Sequence, residues 1–432
     1  MGEAHPLPTI PMTLAPYAIS DQNSKGRRFS VVETSDRNQF QRDYTRVLHS
    51  QAFRRLQQKT QVFSANLGDL FRTRITHSLE VDQVSRSVAA PLGLNEHLCG
   101  VLAIGHDIGH APFGHMGQDL LNDLMANHGG FEHNLQALRL VDEIESPYPE
   151  HRGLNLMFET REGLLKHCSQ EDARMLGEVG ARHLNGRAAS LEAQVVDWSD
   201  AVAYVHADLE DAFLMGVLSP EDLQNAPGYL QAWERIAPRM PLKAPPSSQD
   251  IHHPDPEKKR VAEAVVRSVI RDMMTVCLKD LVFNSRMRLA NLNPGSPEEA
   301  REHNGLIGFG PGMLRQHREL KKFSRLFIYQ HPDIQVVRQE EEQILRGLFS
   351  AFEADPSLLP GAGSPQDGAP FYRRLADHLS GMTDRYAVDV FQRLLNERPE
   401  LIPEELHGAS QTRAANDRCY PKPAVRVAGL GR

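Results

Sequence analysis

The spacing of apolar residues along the chain predicts a protein built from helices. Seven segments carry apolar residues three and four positions apart with charges between them, as amphipathic helices do. These segments are Arg74–Ala90, Asn95–His106, Phe131–Glu145, Glu192–Met215, Lys258–Asn284, Gln335–Glu353 and Pro370–Asn396. Strand-like alternation is scarce, although Gly153–Phe158 allows a short strand or hairpin. The pattern predicts an all-α fold with little or no β structure.

The two ends of the chain lack this periodicity. Residues 1–43 are rich in Pro, Ser and Asn and are expected to form a flexible N-terminal arm. Residues 406–432 have no apolar period and are expected to be a disordered tail. Residues 44–405 are predicted to form one domain, because helical patterns resume on both sides of the Pro-rich stretches 238–256 and 355–370.

Composition narrows the class of protein. Hydrophobic residues make up 40% of the chain and charged residues 24%, which is typical of globular proteins. The sequence contains no run of eighteen apolar residues, so no membrane span is expected, and the N-terminus lacks the pattern of a secretory signal. The four cysteines lie far apart, which argues against disulfides or a thiolate zinc site and favours a cytoplasmic location.

Positive charge is concentrated near the N-terminus of an otherwise acidic chain. The net charge is −8, yet residues 25–75 hold eleven Lys and Arg against four acids. Such a stretch suits a polyanionic ligand, either a nucleotide polyphosphate or single-stranded DNA. A solvated helix face explains the charge alone equally well.

Histidine and aspartate suggest a metal site. His106 and Asp107 are adjacent at the end of a predicted helix, in the segment LAIGHDIGHAPFGH. Imidazole and carboxylate together suit Mn²⁺ or Mg²⁺ first, and also Fe²⁺, Ni²⁺, Zn²⁺ or Co²⁺. One such pair is weak evidence, so partners are needed.

Two further residues could complete the site. His77 shares a helix face with three valines, where a satisfied core histidine is the commoner explanation. Asp200 follows Val196 on an inward-looking face, and a buried carboxylate there needs either a cation or an arginine. Two histidines and two aspartates from three helical segments would form a site that activates water.

Neighbouring residues suit phosphate chemistry. Arg74 lies about one helical turn before His77 and could fork onto a phosphate, and Arg55 and Gln61 lie in the run FRRLQQKTQVF, which could instead form an amphipathic surface helix. His115, in the APFGH turn, is a candidate general acid or base. His110 and His133 are further candidates, although either could merely orient a neighbour.

These motifs resemble one family in order and spacing. The segments YTRVLHSQAFRRLQQKTQVF, RTRITHSLEV, HDIGHAPFGHMG, FEHNLQALRLV, LNLMFETREGLLKH, EAQVVDWSDAVAYVHADLED and SGMTDRYA cover most of residues 44–390. Together they are similar to the HD-superfamily deoxynucleoside triphosphate triphosphohydrolases, the dGTPase-like proteins. The resemblance implies an HD-domain helical bundle with additional helices and a product pair of deoxynucleoside and inorganic triphosphate.

The resemblance also implies roles for individual residues. His77, His106, Asp107 and Asp200 match the four metal ligands, His115 the catalytic histidine, and His110 and His133 histidines of the catalytic network. The implied substrate-binding residues are Arg74, Gln61, Lys166, Tyr204 and Asp208. One departure is Gln118, which stands in GHMGQ where relatives usually have an acid.

The resemblance carries expectations about partners as well. Deoxynucleoside triphosphates are expected as substrates and as allosteric effectors, single-stranded DNA as a further ligand, and a hexamer or tetramer as the assembly. Two other functions fit the motifs: a different HD nucleotide phosphohydrolase acting on monophosphates, cyclic nucleotides or alarmones, or a non-catalytic nucleotide or single-stranded-DNA sensor. Retention of all four metal ligands favours the enzyme over the sensor.

Overall fold

The computed structural model describes residues 13–30, 37–63, 71–360 and 369–410. Helices dominate this part of the chain, which confirms the all-α prediction. The helices of the N-terminal half are α1 Gln39–Leu48, α2 Gln51–Arg55, α3 Arg74–Ala89, α4 Glu96–Gly105, α5 Gly114–Leu124, α6 His133–Arg139, α7 Phe158–Leu164, α8 Gln170–Met175, α9 Ala181–Asn185 and α10 Leu191–Leu214.

The second half continues in the same way. Its helices are α11 Pro220–Gln224, α12 Tyr229–Ile236, α13 Ser248–Ile251, α14 Pro256–Leu292, α15 Pro297–Ala300, α16 Pro311–Ser324, α17 Pro332–Ala354, α18 Ala369–Ser380 and α19 Asp384–Glu397. Short 3₁₀ turns follow several helices, and the two π-helical stretches are Leu140–Ile144 and Arg325–Tyr329. Among the described residues, no helix combines the length and apolar character needed to cross a bilayer.

Local sequence explains where the main helices begin. Thr73 starts α3 with a capping box completed by Thr76, and Asn95 caps α4 by accepting from the next backbone amides. Ser190 and Thr383 cap α10 and α19 in the same manner. A proline just inside the start of α14, α16 and α17 adds no unpaired donor there.

Three apolar clusters meet around the middle of the molecule. The first joins α1, α3, α4, α7 and the start of α10. The second packs α5 against α17, α18 and α19. The third joins the end of α10 to α12, α14 and α16 and to the second π-helical stretch, Arg325–Tyr329, which is called the π-helical stretch below. Helix α10 runs from the first cluster into the third, and α3, α4 and α10 pack against one another.

The structure differs from two of the predicted elements. The segment Pro370–Asn396 forms two helices rather than one, because Gly381 ends the first and Thr383 caps the second. The stretch Gly153–Phe158 contributes only an isolated bridge between Met157 and Arg27, and no strand occurs among the described residues. Positive φ angles at Gly153 and Asn155 turn the backbone out of the extended form.

The chain ends can be compared with the predicted arm and tail only in part. Residues 1–12, 31–36 and 411–432 lie outside the described residues. Where the sequence suggests a flexible arm, part of the stretch 13–30 packs against the helices, since Ala18 and Ile19 are buried and Arg27 pairs with Asp43 of α1. Glu404–Ser410, at the start of the predicted tail, is a 3₁₀ helix. The domain limits stay predictions.

Candidate active site

The four predicted metal ligands come together where α3, α4 and α10 pack. His77 Nε2 lies 3.0 Å from Asp200 Oδ1. His106 Nε2 lies 3.4 Å from Asp107 Oδ1 and 3.5 Å from Asp200 Oδ1. His77, His106 and Asp107 each offer a ligand atom within 4.8 Å of the others. Three helices thus bring two imidazoles and two carboxylates to one point.

The orientation of His106 fits a metal ligand. This residue follows the last residue of α4, and its Nδ1 lies 2.6 Å from the carbonyl oxygen of Ala103, so Nδ1 is the donor. Its Nε2 is buried and has no hydrogen-bond partner among the described residues. Ligand atoms about 2.1 Å from one ion are themselves about 3.0–3.4 Å apart. The separations in this cluster are of that size, so the donor set fits a divalent cation.

Asp107 stands between this cluster and a buried arginine. Its Oδ2 accepts a hydrogen bond from Arg74 Nη1 across 2.8 Å, and its Oδ1 lies 3.2 Å from His110 Nε2. Burial acts to raise the pKa of Asp107, but His106 and the Arg74 guanidinium outweigh burial and hold it well below its usual range. The side chain of Asp107 is therefore ionised at neutral pH.

Arg74 has donors left over for a ligand. It begins α3 and is 1% exposed. Its Nη1 is used by Asp107, whereas Nε and Nη2 are buried without a hydrogen-bond partner among the described residues. Unpaired buried N–H groups are costly. An anionic group bound beside the metal cluster would satisfy both of them, as the predicted phosphate contact requires.

The three predicted catalytic histidines form a connected group. The rings of His110 and His133 stack with centroids 4.0 Å apart, and His115 meets the edge of His110 at 5.3 Å. The close approach of α6 depends on Gly109, because a Cβ there would lie 2.0 Å from the carbonyl oxygen of His133. The His115 side chain is exposed toward the cavity. Desolvation by the surrounding protein, together with the charge of Arg74, lowers the pKa of His115 to about 4.

The other predicted substrate residues occupy different depths. Gln61, Lys166 and Tyr204 line the same cavity as the metal cluster. Lys166 Nζ lies 3.0 Å from Asp200 Oδ2. Burial acts to lower the pKa of Lys166, but Asp200 and Asp197 outweigh it and raise that pKa. Asp208 is buried one layer behind, where it accepts a hydrogen bond from the hydroxyl of Tyr329.

The cavity has a volume of about 1060 Å³, which is large enough for a nucleotide. One wall carries residues that sequence reasoning missed. These are Lys321, Lys322, Arg325, Tyr329, Gln330 and Arg338, from α16, the π-helical stretch and α17. Four of them, Lys321, Lys322, Arg325 and Arg338, are cations, and we call this side of the cavity the cationic wall. It shares the cavity with a cluster of carboxylates and imidazoles, so the opening is suited to a polyanion. The sequence signal for the first five of the missed residues was the run KKFSRLFIYQ, which begins with a basic cluster.

Two residues singled out in the sequence lie elsewhere. Arg55, predicted to bind substrate, ends α2 and lines a separate cavity of about 790 Å³ beside His378 and Arg385. Its position gives no support to a role in the metal-site cavity. Gln118 lines a third cavity, and its Oε1 is buried without a hydrogen-bond partner among the described residues. Asp119, the next residue, does line the metal-site cavity.

Comparison with known proteins agrees with this geometry. The HD domain family matches residues 74–205, and the phosphohydrolase-associated domain family matches residues 307–393. The first range contains all four clustered ligands, and the second contains the cationic wall. The chain is therefore an HD-domain protein, and an HD domain implies a divalent metal ion that this donor set fits.

Relatives narrow the class further. A deoxyguanosinetriphosphate triphosphohydrolase-like protein of Nitrosomonas europaea is 43% identical over 381 residues, which cover 88% of this chain and 97% of the relative. A protein of the same description from Bordetella pertussis is 43% identical over 388 residues, covering 88% and 96%. One from Thiobacillus denitrificans is 40% identical over 382 residues, covering 88% and 97%. The chain belongs to the family of deoxyguanosinetriphosphate triphosphohydrolase-like proteins, which supports an HD phosphohydrolase.

Proposed function

We propose that this protein hydrolyses deoxynucleoside triphosphates to a deoxynucleoside and inorganic triphosphate, with a divalent metal ion. The observation that carries the proposal is the pairing of a buried His and Asp cluster with Arg74, whose Nε and Nη2 lack partners among the described residues. Metal ligands and a guanidinium with spare donors together suit one phosphate group. The printed description of the relatives, as triphosphohydrolase-like proteins, supports the triphosphate product.

Four residues would hold the ion: His77, His106, Asp107 and Asp200. When bound, a divalent ion supplies charge for a phosphoryl oxygen and lowers the pKa of a water molecule. Mn²⁺ and Mg²⁺ are the ions expected first, and the set of two imidazoles and two carboxylates also accepts Fe²⁺, Ni²⁺, Zn²⁺ or Co²⁺. Arg74 binds the α-phosphate through its two unpaired N–H groups and keeps Asp107 oriented at the same time.

His115 is the residue assigned to proton transfer. Its pKa of about 4 leaves the imidazole neutral at pH 7, which suits acceptance of a proton from the attacking water. An anionic phosphate bound nearby favours the imidazolium, and that form protonates the departing deoxyribose oxygen. His110 meets the edge of this ring, and His133 stacks on His110. Proton transfer is thus assigned to His115, and the cations from α16, α17 and the stretch between them serve substrate binding.

The remaining lining residues account for the substrate. Gln61 and Tyr204 are the residues assigned to contact the deoxyribose. Asp208 is buried, so its effect on the sugar passes through its hydrogen bond with Tyr329. Lys166 and the cations of α16 and α17 attract the β- and γ-phosphates. Deoxynucleoside triphosphates as allosteric effectors, single-stranded DNA as a ligand, a hexameric or tetrameric assembly and a cytoplasmic location belong to the same proposal.

Product analysis tests the reaction. Purified protein is incubated with Mn²⁺ or Mg²⁺ and each of the four deoxynucleoside triphosphates, and nucleoside and phosphate products are separated by ion-exchange chromatography. The same assay is run with a His106→Ala, Asp107→Ala double variant. We expect deoxynucleoside and intact triphosphate from the wild type and none from the variant, because the variant lacks two of the four ligands.

Other outcomes lead to other functions. Monophosphate with pyrophosphate, or free phosphate, would move the bond that is cleaved and replace the proposal with a different HD nucleotide phosphohydrolase. No turnover in the presence of mixed nucleotides or single-stranded DNA would favour a nucleotide sensor. Gln118 would then be the residue to convert to Glu, because it stands where relatives usually carry an acid.

A further inference from the structure

The backbone just before His115 is strained. Phe113 has a φ of 65° and Gly114 a φ of 67°, so two successive residues are left-handed at the start of α5. A non-glycine residue in this region is strained and persists only when its surroundings hold it. The strained turn sets the direction of the His115 side chain. Residues that hold this turn therefore bear on the catalytic histidine.

Asp384 is one residue that holds it. Its carboxylate is fully buried at the start of α19. Oδ1 accepts from the amide of Phe113 at 2.9 Å, and Oδ2 accepts from the amide of Thr60 at 2.7 Å. One carboxylate thus ties the turn before His115 to the segment that carries Gln61. Both bonds are charge-assisted and inaccessible to water, so each is stronger than an ordinary surface hydrogen bond.

Lys59 makes a second tie from the opposite direction. Its side chain is 2% exposed, and its Nζ donates to the carbonyl oxygens of His110 at 2.5 Å and Ser380 at 2.7 Å. Burial lowers the pKa of Lys59 to about 7, and the charge of Asp384 opposes that change. A lysine is rarely buried without a specific partner. Here both partners are backbone carbonyls. One belongs to the loop from His110 to His115, and the other belongs to Ser380, which ends α18 just before Asp384.

We propose that Lys59 and Asp384 are positioning residues that hold the His110–His115 loop and Gln61 in their catalytic arrangement. The effect on turnover rests on the proposed function. Lys59 joins His110, in the range matched by the HD family, to Ser380, in the range matched by the associated family. Asp384, in the second range, accepts from Phe113 in the first, so the pair fastens the two matched ranges together. Neither side chain lines the cavity among the described residues, which means that they act through the backbone they bind.

Two substitutions test this without adding bulk. Lys59→Met keeps most of the length of the side chain and removes the ammonium group that donates both hydrogen bonds. Asp384→Asn keeps the shape of the side chain but turns an NH₂ donor toward a backbone amide. Asp43→Asn is the matched control, because Asp43 is equally buried and accepts from Arg27, from the amide of Met157 and from the hydroxyl of Thr160. Asp43 has no contact with the His110–His115 loop in these hydrogen bonds.

We expect kcat to fall at least tenfold in Lys59→Met and Asp384→Asn, with KM and Mn²⁺ affinity within threefold of the wild type. Asp43→Asn is expected to lower the melting temperature about as much as the other two substitutions do. It is expected to keep kcat within threefold of the wild type. Rates are measured well below each melting temperature, so loss of folded protein does not contribute. Equal losses of kcat in all three variants, or unchanged kcat in the first two, would overturn the proposal.

Hydrogen exchange separates this proposal from the proposed reaction. Amides in peptides spanning 58–62 and 108–116 are expected to exchange at least tenfold faster in Lys59→Met and Asp384→Asn than in the wild type, and unchanged in Asp43→Asn. This readout needs no substrate. If the wild type turns over no nucleotide but the exchange result holds, the reaction is wrong and the positioning stands. Unchanged exchange in both variants would remove the positioning role itself.

Discussion

Arg74 and Asp107 form a buried ion pair in which each partner keeps a second task. Arg74 Nη1 lies 2.8 Å from Asp107 Oδ2, and the two side chains are 1% and 6% exposed. The other oxygen of Asp107 faces the histidines of the metal cluster, while Nε and Nη2 of Arg74 lack partners among the described residues. The pair therefore couples the geometry of the metal site to that of the phosphate site.

Replacement of Arg74 by Lys tests this coupling. Lysine keeps the charge but cannot fork, so it cannot serve Asp107 and a phosphate together. We expect kcat/KM for deoxynucleoside triphosphates to fall about a hundredfold, which corresponds to about 2.7 kcal/mol. Arg72→Lys is the control, since Arg72 pairs with Glu80, Glu210 and Asp211 outside the cavity. Comparable losses in both variants would point to charge alone.

Metal binding should be visible as added stability. A ligand at about a hundred times its Kd stabilises the folded state by about 2.7 kcal/mol. We expect Mn²⁺ added to EDTA-treated protein to raise the melting temperature by several degrees, and His106→Ala to abolish that rise. His183→Gln, a change outside the cluster, should leave it intact. A His106→Ala protein with the full Mn²⁺-dependent rise would mean that the ion binds at another place.

The cationic wall should act mainly on substrate binding. Arg338 lines the cavity and sits over the ring of Tyr329, 5.9 Å from its centroid. Arg338→Gln removes a charge that attracts the polyphosphate before and during reaction, so KM should rise about tenfold while kcat changes less than threefold. Arg318→Gln, an exposed change on α16 outside the cavity, is the control. A loss confined to kcat would instead assign Arg338 to the transition state.

The candidate metal cluster could be anticipated from the sequence because each of its residues lies in a segment with a distinctive pattern. His106 and Asp107 are adjacent at a helix end, and His77 and Asp200 sit on faces that otherwise point inward. Helix periodicity indicates that His77 and Asp200 lie on inward-looking faces, and the grouping of all four residues was implied by the family resemblance. The same reasoning located α3, α4 and α10 to within a few residues.

The rest of the site depends on packing between distant segments. Lys321 and Arg338 reach the cavity because α16 and α17 pack near α10 and α5, and periodicity does not indicate which helices become neighbours. Arg55 shows the opposite case, since its basic run suited a phosphate but α2 directs it to the turn at Gly381. The break between α18 and α19 was missed because Gly381 and Thr383 interrupt an apolar pattern that continues on both sides.

Glu192 supplies a prediction that is independent of catalysis. This buried residue of α10 accepts from the amides of Ile19 and Asn95 through Oε1, and its Oε2 has no hydrogen-bond partner among the described residues. Burial raises its pKa to about 7 from an ordinary value of 4.5. Folding therefore favours the protonated carboxyl, so the stability it allows is complete below pH 4.5 and is lost as the pH rises through about 7.

Glu192→Gln mimics the protonated form at every pH. We expect the variant to exceed the wild type in free energy of unfolding by about 3 kcal/mol at pH 8, and by less than about 1 kcal/mol at pH 5. Urea unfolding at both pH values measures the difference. Glu178→Gln, a change at an exposed carboxylate, should show no such pH dependence. An equal gain at pH 5 and pH 8 would mean that Glu192 keeps the same protonation state in the folded and unfolded chains, and that its burial is offset by the two backbone amides alone.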